Sequence, residues 1–369
     1  MKLNTYFKDF LHEIRLTDDQ VTDLKNEHEK LRGLLKEDDE LSDIIVHTFL
    51  QGSYRRSTII KPKNDNNPDV DVVVVTRLDK NKYTPAEALH MFEPFLEENY
   101  ENNYRIQGRS LGINLDIVDL DLVVTAAPSE IDENIIQKSG ILFDLTIEDI
   151  KQTDKTYRSK GRYESAEKII NFVEKSKNTP EWKTEPLYIP DRNANEWQPT
   201  HPLEQILWTF EKNDKTNGHY VNIVKALKWW RQEKFPDADH PKSYPLEHFI
   251  GYCCPNGIKS VAEGITSTLE TIKFDHENKP ELPDHGVPEH DVFSRITDEE
   301  YEEFYSQVTE AAELAREALD SDDKKESIKK WRNLFGKKFP PYKINTDIKR
   351  GGYSKRTKKT SNIPGGKFA

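Results

Sequence analysis

The fold of this chain is decided by residues 51–76, which read QGSYRRSTIIKPKNDNNPDVDVVVVT. The end of this stretch, Asp69-Val70-Asp71 followed by four valines, has the β-branched composition of a strand. Because side chains in a strand alternate between two faces, we expect Asp69 and Asp71 on one face and Val70 in the core. Two adjacent carboxylates repel each other, and a shared divalent cation would offset that repulsion because hard cations prefer oxygen ligands. The pattern predicts a metal-binding Asp pair, with a charged strand end at a sheet edge as the alternative.

A Gly-Ser turn precedes this strand. Gly52 and Ser53 follow an apolar strand-like run at 43–50, and Ser53 stands sixteen residues before Asp69. A small residue beside a hydroxyl lets backbone N–H groups close on a phosphate. Turn and Asp pair together predict a metal-plus-phosphate site, in which Ser53 and the Gly52 backbone would hold the phosphates. Two Mg²⁺ ions, or Mn²⁺, roughly 3.5–4 Å apart would clamp the attacking and leaving oxygens.

A second Asp-rich stretch offers a third carboxylate. Residues 111–125 read LGINLDIVDLDLVVT and contain Asp116, Asp119 and Asp121. Asp119 and Asp121 share a face if the strand is regular, so one of them could reach the metal pair from a neighbouring strand. That carboxylate would hold the metal that lowers the pKa of the attacking hydroxyl. A solvated edge strand is the alternative explanation of the cluster.

Composition limits the class of protein. The chain has 369 residues, enough for two domains, and a formal net charge of −12. Residues 343–369 carry eight Lys or Arg and one Asp, a net of +7, which leaves 1–342 at −19. An acidic body argues against general nucleic-acid binding, since phosphate contacts supply most of that affinity. There are only two cysteines, adjacent in sequence, and neither a secretion signal nor a membrane-length apolar run. We therefore expect a cytoplasmic protein without disulfides or a membrane partner.

The chain divides into three predicted parts. Residues 1–200 are expected to form the catalytic core with an N-terminal helix and a long crossover, 201–342 a helical lobe, and 343–369 a flexible basic tail. Spacing of apolar residues and capping signals predict helices. They are placed at 3–14, from Thr17 onward with Gln20 completing a capping box, at 55–60, 84–101 and 163–176, around 219–231, and at 246–254, 297–319 and 326–335.

Gly-Ser, a spacer and then two aspartates flanking an apolar residue on a strand are the signature of DNA polymerase β-like nucleotidyltransferases. The finer pattern resembles the cGAS-like bacterial nucleotidyltransferases (CD-NTases) over most of the chain. It is carried by QGSYRRST, PDVDVVVV, LDLVVTAAP, NGHYVNIVKALKWWR, KSYPLEHFI and WRNLFGKKFP. This resemblance implies an α/β (α+β) enzyme with a mixed-sheet nucleotidyltransferase lobe, a helical C-terminal lobe, and an active site in the cleft between them.

The resemblance also implies residue roles. In the family the third acid precedes an apolar residue, Val and Pro, and LDLVVTAA fits best with Asp121, although Val-Thr stands where Pro is commoner. Asp119 stays open as the alternative. The helical Lys that contacts the donor triphosphate matches Lys225, and the pair that touches phosphate and stacks on the base matches Ser243 and Tyr244.

Two further positions follow the Gly-Ser turn. Arg56 and Thr58 match the family's R-x-T sequence, and both are expected to support the turn. The C-terminal residues 364–369, PGGKFA, resemble tails that an E1/E2-like partner enzyme conjugates to targets. A flexible tail that ends by chance in small residues is the alternative.

The implied reaction joins NTPs one after another and closes the ring, releasing pyrophosphate. ATP, GTP or pyrimidine NTPs are the expected substrates, and the cyclic di- or oligonucleotide product would activate a separate effector in bacterial antiphage defence. Two alternatives come from other classes. One is a linear nucleotidyltransferase acting on RNA ends or on a small-molecule acceptor, and the other is a catalytically inactive scaffold.

Overall fold

The computed structural model describes residues 1–63, 66–127 and 186–343. Over these ranges a mixed sheet with flanking helices is followed by a helical lobe, as predicted. The predicted helix at 163–176 lies outside the described residues, as do most of the crossover and the basic tail from residue 344 onward.

Two helices precede the strands, and Thr17 and Gln20 form the predicted capping box of the second one. The strands that follow are separated by short helices and turns. In chain order the elements are α1 (Asn4–Ile14), α2 (Asp18–Glu37), β1 (Ile45–Gln51), α3 (Gly52–Arg55), β2 (Asp69–Thr76), α4 (Pro85–His90), α5 (Glu93–Tyr100), β3 (Tyr104–Ile106), β4 (Leu111–Asn114), β5 (Asp119–Ala126), β6 (Leu187–Asp191) and β7 (Glu196–Thr200).

The sheet is mixed because its two central strands are parallel. Its main path runs β1-β2-β5-β4-β3, and β6 pairs with the end of β5 and with β7. Only β2 and β5 are parallel among the described pairs; the others are antiparallel. In the parallel register Asp69 lies opposite Asp119 and Asp71 opposite Asp121. The aspartates of both strands therefore meet at the same edge of the sheet.

Both faces of the central strands are covered, which explains the continuous run of valines. Val70, Val72 and Val74 pack toward α2, α4 and α5, so Val70 lies in the core as predicted. Val73 and Val75 point to the opposite face, where they pack with Leu203 and Leu207. Since Asp69 and Asp71 share this second face, it is polar at the start of the strands and apolar farther along.

Two predicted elements are interrupted. The helix expected at 84–101 is two helices, because Pro94 lies in the first turn of α5 and cannot donate the backbone hydrogen bond that a continuous helix needs. The strand expected at 111–125 is a hairpin in which the Leu115 amide donates to the Val118 carbonyl, closing a turn between β4 and β5.

The helical start predicted at 55–60 was also wrong. The helical turn begins at Gly52 and ends at Arg55, and Ser57 then adopts a left-handed backbone with φ of 57°. That conformation cannot continue a right-handed helix.

The helical lobe is built around one central helix, Tyr220–Lys234, which is buried on nearly all sides. Thr297 and Glu300 form the predicted capping box of the longest helix in this lobe. The elements are α6 (Pro202–Lys215), α7 (Tyr220–Lys234), α8 (Ser243–Cys253), α9 (Val261–Asp275), α10 (Asp298–Asp320), α11 (Lys324–Phe335) and a 3₁₀ turn at Gly336–Lys338.

The N-terminal helix departs from the predicted division of the chain. α1 was assigned to 1–200, but its buried face packs into the core of the helical lobe. The Phe7 ring meets Trp331 at a centroid distance of 4.9 Å, and Phe10 meets Phe335 at 4.7 Å. Such aromatic contacts add to the stabilisation that comes from area burial. The helical lobe is thus completed by a segment that precedes the sheet in sequence.

Cys253 and Cys254 are free and buried. Within the described ranges no helix has the length and apolar character needed to span a bilayer.

Candidate active site

A cleft of about 1520 Å³ lies between the sheet and the helical lobe. Small-molecule pockets commonly measure about 300–1,000 Å³, so this cleft has room for more than one nucleotide. Its walls include the start of β2 and β5, the turn after β1, the β6–β7 hairpin, the first turn of α8 and the loop after α9. Eight of the predicted site residues line it: Gly52, Ser53, Arg56, Asp69, Asp71, Asp121, Ser243 and Tyr244.

The three carboxylates at the start of β2 and β5, Asp69, Asp71 and Asp121, repel one another. Burial raises the pKa of Asp71 to about 7, and the charges of Asp69 and Asp121 contribute to that shift. Burial, followed by the Asp69 charge, also raises the pKa of Asp121. Like charges held together in this way occur where a ligand or cation is meant to neutralise them.

Position 52 requires glycine because the backbone there lies directly against the Asp71 side chain. In the β1–β2 register Gln51 lies opposite Asp71, so the next residue turns directly over the carboxylate. A Cβ atom at position 52 would overlap the Asp71 side chain, and Gly52 has φ of +71°. Glycine meets both conditions because it has no Cβ atom and adopts positive φ without strain.

Asp121 and Asp119 differ in surroundings. Asp121 lines the cleft, and its Oδ1 accepts a hydrogen bond of 3.0 Å from the Gln107 side-chain amide. Asp119 is not among the cleft-lining residues and lies 3.4 Å from the side-chain nitrogen of Asn67. Both acids lie opposite a member of the Asp pair in the parallel register, but only Asp121 lines the cleft.

A buried cluster behind the Gly-Ser turn was missed from the sequence. The Arg56 guanidinium donates to one oxygen of Glu247 at 2.7 Å, and the Thr58 hydroxyl donates to the other at 2.7 Å. Lys228 lies 3.9 Å from Glu247 and donates to the Thr58 carbonyl at 3.2 Å. Burial would raise the pKa of Glu247, but Arg56 and Lys228 hold it below its usual value. Arg56 and Thr58 thus support the turn through a partner on the opposite lobe.

Glu247 had one sequence signal. It is the only acidic residue in the otherwise mainly apolar helix SYPLEHFIGYC, four residues after Ser243. A buried carboxylate needs a paired cation, but the sequence does not say which one.

Tyr244 is held by a residue of the loop after α9. Its hydroxyl donates to Asp284 at 2.6 Å, and Asp284 also accepts a hydrogen bond of 3.1 Å from Gln205. The Arg56 guanidinium lies over the Tyr244 ring, 5.1 Å from the centroid. One ring face therefore contacts a cation of the sheet lobe.

Lys225 is the predicted binding residue that the structure does not bring to the cleft. Its side chain is 2% exposed, and it is not among the cleft-lining residues. α7 is buried on almost every side, so apolar periodicity could not indicate which of its lysines faces the sheet lobe. Lys228, three residues later, makes the contact with the turn.

Comparison with known proteins identifies the family of this chain. The family model for the Second Messenger Oligonucleotide or Dinucleotide Synthetase domain matches residues 1–130. A probable cyclic AMP-AMP-GMP nucleotide synthase of Salmonella paratyphi B is 43% identical, and a cyclic AMP-AMP-GMP synthase of Enterobacter hormaechei is 42% identical, with all of each chain covered. The solved structure of Vibrio cholerae DncV cyclic AMP-GMP synthase superposes with a TM-score of 0.63 at 14% identity, covering 92% of this chain and 97% of that one.

The fold is that of a DNA polymerase β-like nucleotidyltransferase, as predicted. The chain belongs to the CD-NTase family of cyclic oligonucleotide synthases. It is a nucleotidyltransferase that makes a cyclic nucleotide second messenger, which confirms the predicted family and reaction and sets aside the linear-transferase and scaffold alternatives.

Proposed function

We propose that this enzyme uses ATP and GTP to build a three-nucleotide ring of the cyclic AMP-AMP-GMP type. The observation that carries this proposal is the 42–43% identity to two synthases named for that product, with full coverage of every chain. A cleft of about 1520 Å³ is consistent with two nucleotides that are joined before a third is added.

In this proposal Asp69, Asp71 and Asp121 are the catalytic carboxylates, and they bind divalent metal, with two Mg²⁺ ions or Mn²⁺ as the form expected from the sequence. The raised pKa of Asp71 supports the fit, because a bound cation would stabilise the charged carboxylate against both its burial and the repulsion from Asp69 and Asp121. Among the described residues, no group of three or more His, Cys, Asp or Glu side chains is arranged to hold a metal ion by itself. The proposed site would be completed by the bound nucleotide, because Mg²⁺ is usually held by one or two carboxylates together with substrate phosphates.

The other roles follow from position in the cleft. Gly52 and Ser53 bind the donor β- and γ-phosphates through the turn, and Ser243 and Tyr244 contact the same nucleotide from α8. Bound metal would supply positive charge at the α-phosphate and lower the pKa of the attacking hydroxyl. Asp121 lies beside Asp71 on the parallel strand and orients that hydroxyl, with its Oδ1 fixed by Gln107. Lys225 is left out of the proposed site because it is buried away from the cleft lining.

The biological setting is proposed from the resemblance and from the relatives. The ring would act as a second messenger on a separate effector in antiphage defence. Conjugation of the C-terminus by an E1/E2-like enzyme stays a prediction, since 364–369 lies outside the described residues.

The experiment is to incubate the protein with Mg²⁺ and all four NTPs, treat the products with phosphatase, and identify them by mass spectrometry. We expect a phosphatase-resistant ring with two AMP units and one GMP, formed without an RNA primer and lost when ATP or GTP is omitted. The Asp119→Asn variant is the matched control and should make the same ring. A ring of other composition would contradict the proposed product, and phosphatase-sensitive linear products alone would contradict cyclisation.

A further inference from the structure

Ser57 has a backbone conformation that is uncommon for a residue with a side chain. Its φ is 57°, and its side chain is fully buried behind the Gly-Ser turn. Non-glycine residues adopt this left-handed region rarely, and they keep it only where surrounding contacts fix it. The contacts that fix Ser57 therefore determine the shape of the turn.

The two residues that flank Ser57 are held by one carboxylate. Glu247 accepts from Arg56 on one side and from Thr58 on the other, each at 2.7 Å, and Glu247 is 2% exposed. Lys228 fixes the carbonyl of Thr58 at 3.2 Å. Glu247 and Lys228 belong to the helical lobe, whereas 56–58 belong to the sheet lobe.

The strained segment is hydrogen-bonded to the residue that faces the phosphates. The Ser53 carbonyl accepts from the backbone amides of Thr58 and Ile59, at 2.9 and 3.1 Å. A shift of 56–58 would therefore move Ser53. Glu247 also lies one helical turn after Ser243, so a single helix lines the cleft and holds the turn.

We infer that Glu247 is a positioning residue that holds the turn, residues 52–59, in its phosphate-binding shape from the opposite lobe. The turn binds a donor triphosphate at full affinity only while α8 is seated against it. This inference rests on the proposed role of Gly52 and Ser53 as the donor-phosphate site.

The test measures the affinity of a non-hydrolysable ATP analogue with Mg²⁺ by calorimetry, together with the melting temperature of each variant. Glu247→Gln should weaken binding by about tenfold, the equivalent of modest backbone strain. Adding Ser57→Gly to Glu247→Gln should restore most of the affinity, because glycine adopts φ of 57° without external support. A purely structural role for Glu247 would not predict this rescue.

Glu270→Gln is the matched control. Glu270 accepts a 2.7 Å hydrogen bond from Arg316 between α9 and α10, so the variant also loses an interhelical ion pair but one that does not line the cleft. Nucleotide affinity should be unchanged. If Glu247→Gln folds poorly, Thr58→Val removes one of the two hydrogen bonds without unpairing a charge and should weaken binding by about threefold.

The Ser53→Ala variant distinguishes a failure of the positioning role of Glu247 from a failure of the proposed phosphate site. Weaker binding by Ser53→Ala with wild-type binding by Glu247→Gln or Thr58→Val would overturn the positioning role alone. Failure of Ser57→Gly to restore affinity in a folded double variant would overturn it as well. Unchanged binding by Ser53→Ala would overturn the proposed phosphate site and, with it, the inference.

Discussion

Two groups of charged residues lie on either side of the Gly-Ser turn, and they are built in opposite ways. The carboxylate group, Asp69, Asp71 and Asp121, brings like charges together at the start of two parallel strands. The interlobe group pairs Glu247 with Arg56 and Lys228. Both groups contain a buried acid, yet the pKa of Asp71 is raised and that of Glu247 is lowered. Burial acts to raise the pKa of both acids; the cations beside Glu247 outweigh it, whereas the carboxylates beside Asp71 add to it.

The difference shows which group is completed by the protein and which needs a ligand. A charge that is paired and hydrogen-bonded fixes geometry in the free enzyme, as Glu247 does for the turn. A set of like charges stays unfavourable until a cation or substrate arrives. Removing charge from the two groups should therefore have opposite consequences for stability, and only the carboxylate group should be directly needed for the chemical step.

The largest effect is expected from Asp69→Asn combined with Asp71→Asn. Loss of metal-binding charge should reduce the rate of product formation by about 10³-fold or more, since metal stabilisation of phosphoryl transfer amounts to several kcal/mol. The fold should survive because both side chains lie at the cleft end of β2. Product formation is measured by mass spectrometry and folding by thermal melting. Normal turnover would show that these carboxylates are not the metal site.

The stability comparison uses Arg56→Met and Asp71→Asn in metal-free protein at pH 8. Arg56→Met removes the closest partner of a buried carboxylate and should lower the free energy of unfolding by about 3 kcal/mol. Asp71→Asn should raise it, because it removes a repelled charge; a pKa raised from 3.8 to about 7 sets a ceiling of about 4 kcal/mol. Urea denaturation measures both. Two changes of the same sign would contradict the distinction between the groups.

The Asp71 effect should depend on pH. The pKa of Asp71 is higher in the folded than in the unfolded protein, so protonation of its carboxyl favours the folded state. This contribution to stability is fully present below pH 3.8 and is lost as pH rises through about 7. The stability advantage of Asp71→Asn over wild type should thus grow between pH 5 and pH 8. Mg²⁺ added at pH 8 should shrink it. An advantage that is equal at both pH values would mean that the carboxyl pKa is not raised.

The variants Asp121→Asn and Asp119→Asn test which of these two acids belongs to the carboxylate group. Asp121→Asn should reduce turnover by about 100-fold while nucleotide affinity stays near wild type, because this acid is proposed to act on the attacking hydroxyl. Asp119→Asn should keep most turnover, since Asp119 does not line the cleft. The reverse pattern in a turnover assay would move the third-acid role to Asp119.

The carboxylate group could be predicted from the sequence, whereas the interlobe group could not. Asp69 and Asp71 are revealed by local signals, a β-branched run with period-two alternation. Glu247 meets Arg56 across 191 residues of sequence, so the contact exists only once the two lobes have docked. Asp284 contacts Tyr244 from a loop without a periodic apolar pattern, so the sequence does not predict this contact.

Helix faces account for the other differences between the expectations and the structure. Lys225 and Lys228 both lie on a helix that is buried almost all round, so periodicity gives no preferred face. α1 has an amphipathic pattern, but that pattern does not say which of two cores receives its aromatic face. Secondary structure and the strand-borne site are locally encoded here, and the docking of helices is not.

The smallest effect concerns Tyr244, which contacts the interlobe group through Arg56 and lines the cleft. Tyr244→Phe keeps the ring over Arg56 and removes one hydrogen bond from Asp284. Asp284 still accepts from Gln205 and from the Gly286 amide, so nucleotide affinity should fall only by about 1 kcal/mol or less.

Tyr244→Ala should weaken nucleotide binding more, by about 1–3 kcal/mol, because it also removes the ring that is proposed to stack on a base. Tyr305→Phe is the matched control: it removes a hydroxyl that donates to the Lys273 carbonyl at 2.7 Å, and Tyr305 does not line the cleft. Calorimetry with an ATP analogue compares the three variants. Equal losses for Tyr244→Phe and Tyr244→Ala would show that the hydroxyl, through Asp284, carries the whole contribution and that the ring does not contact the base.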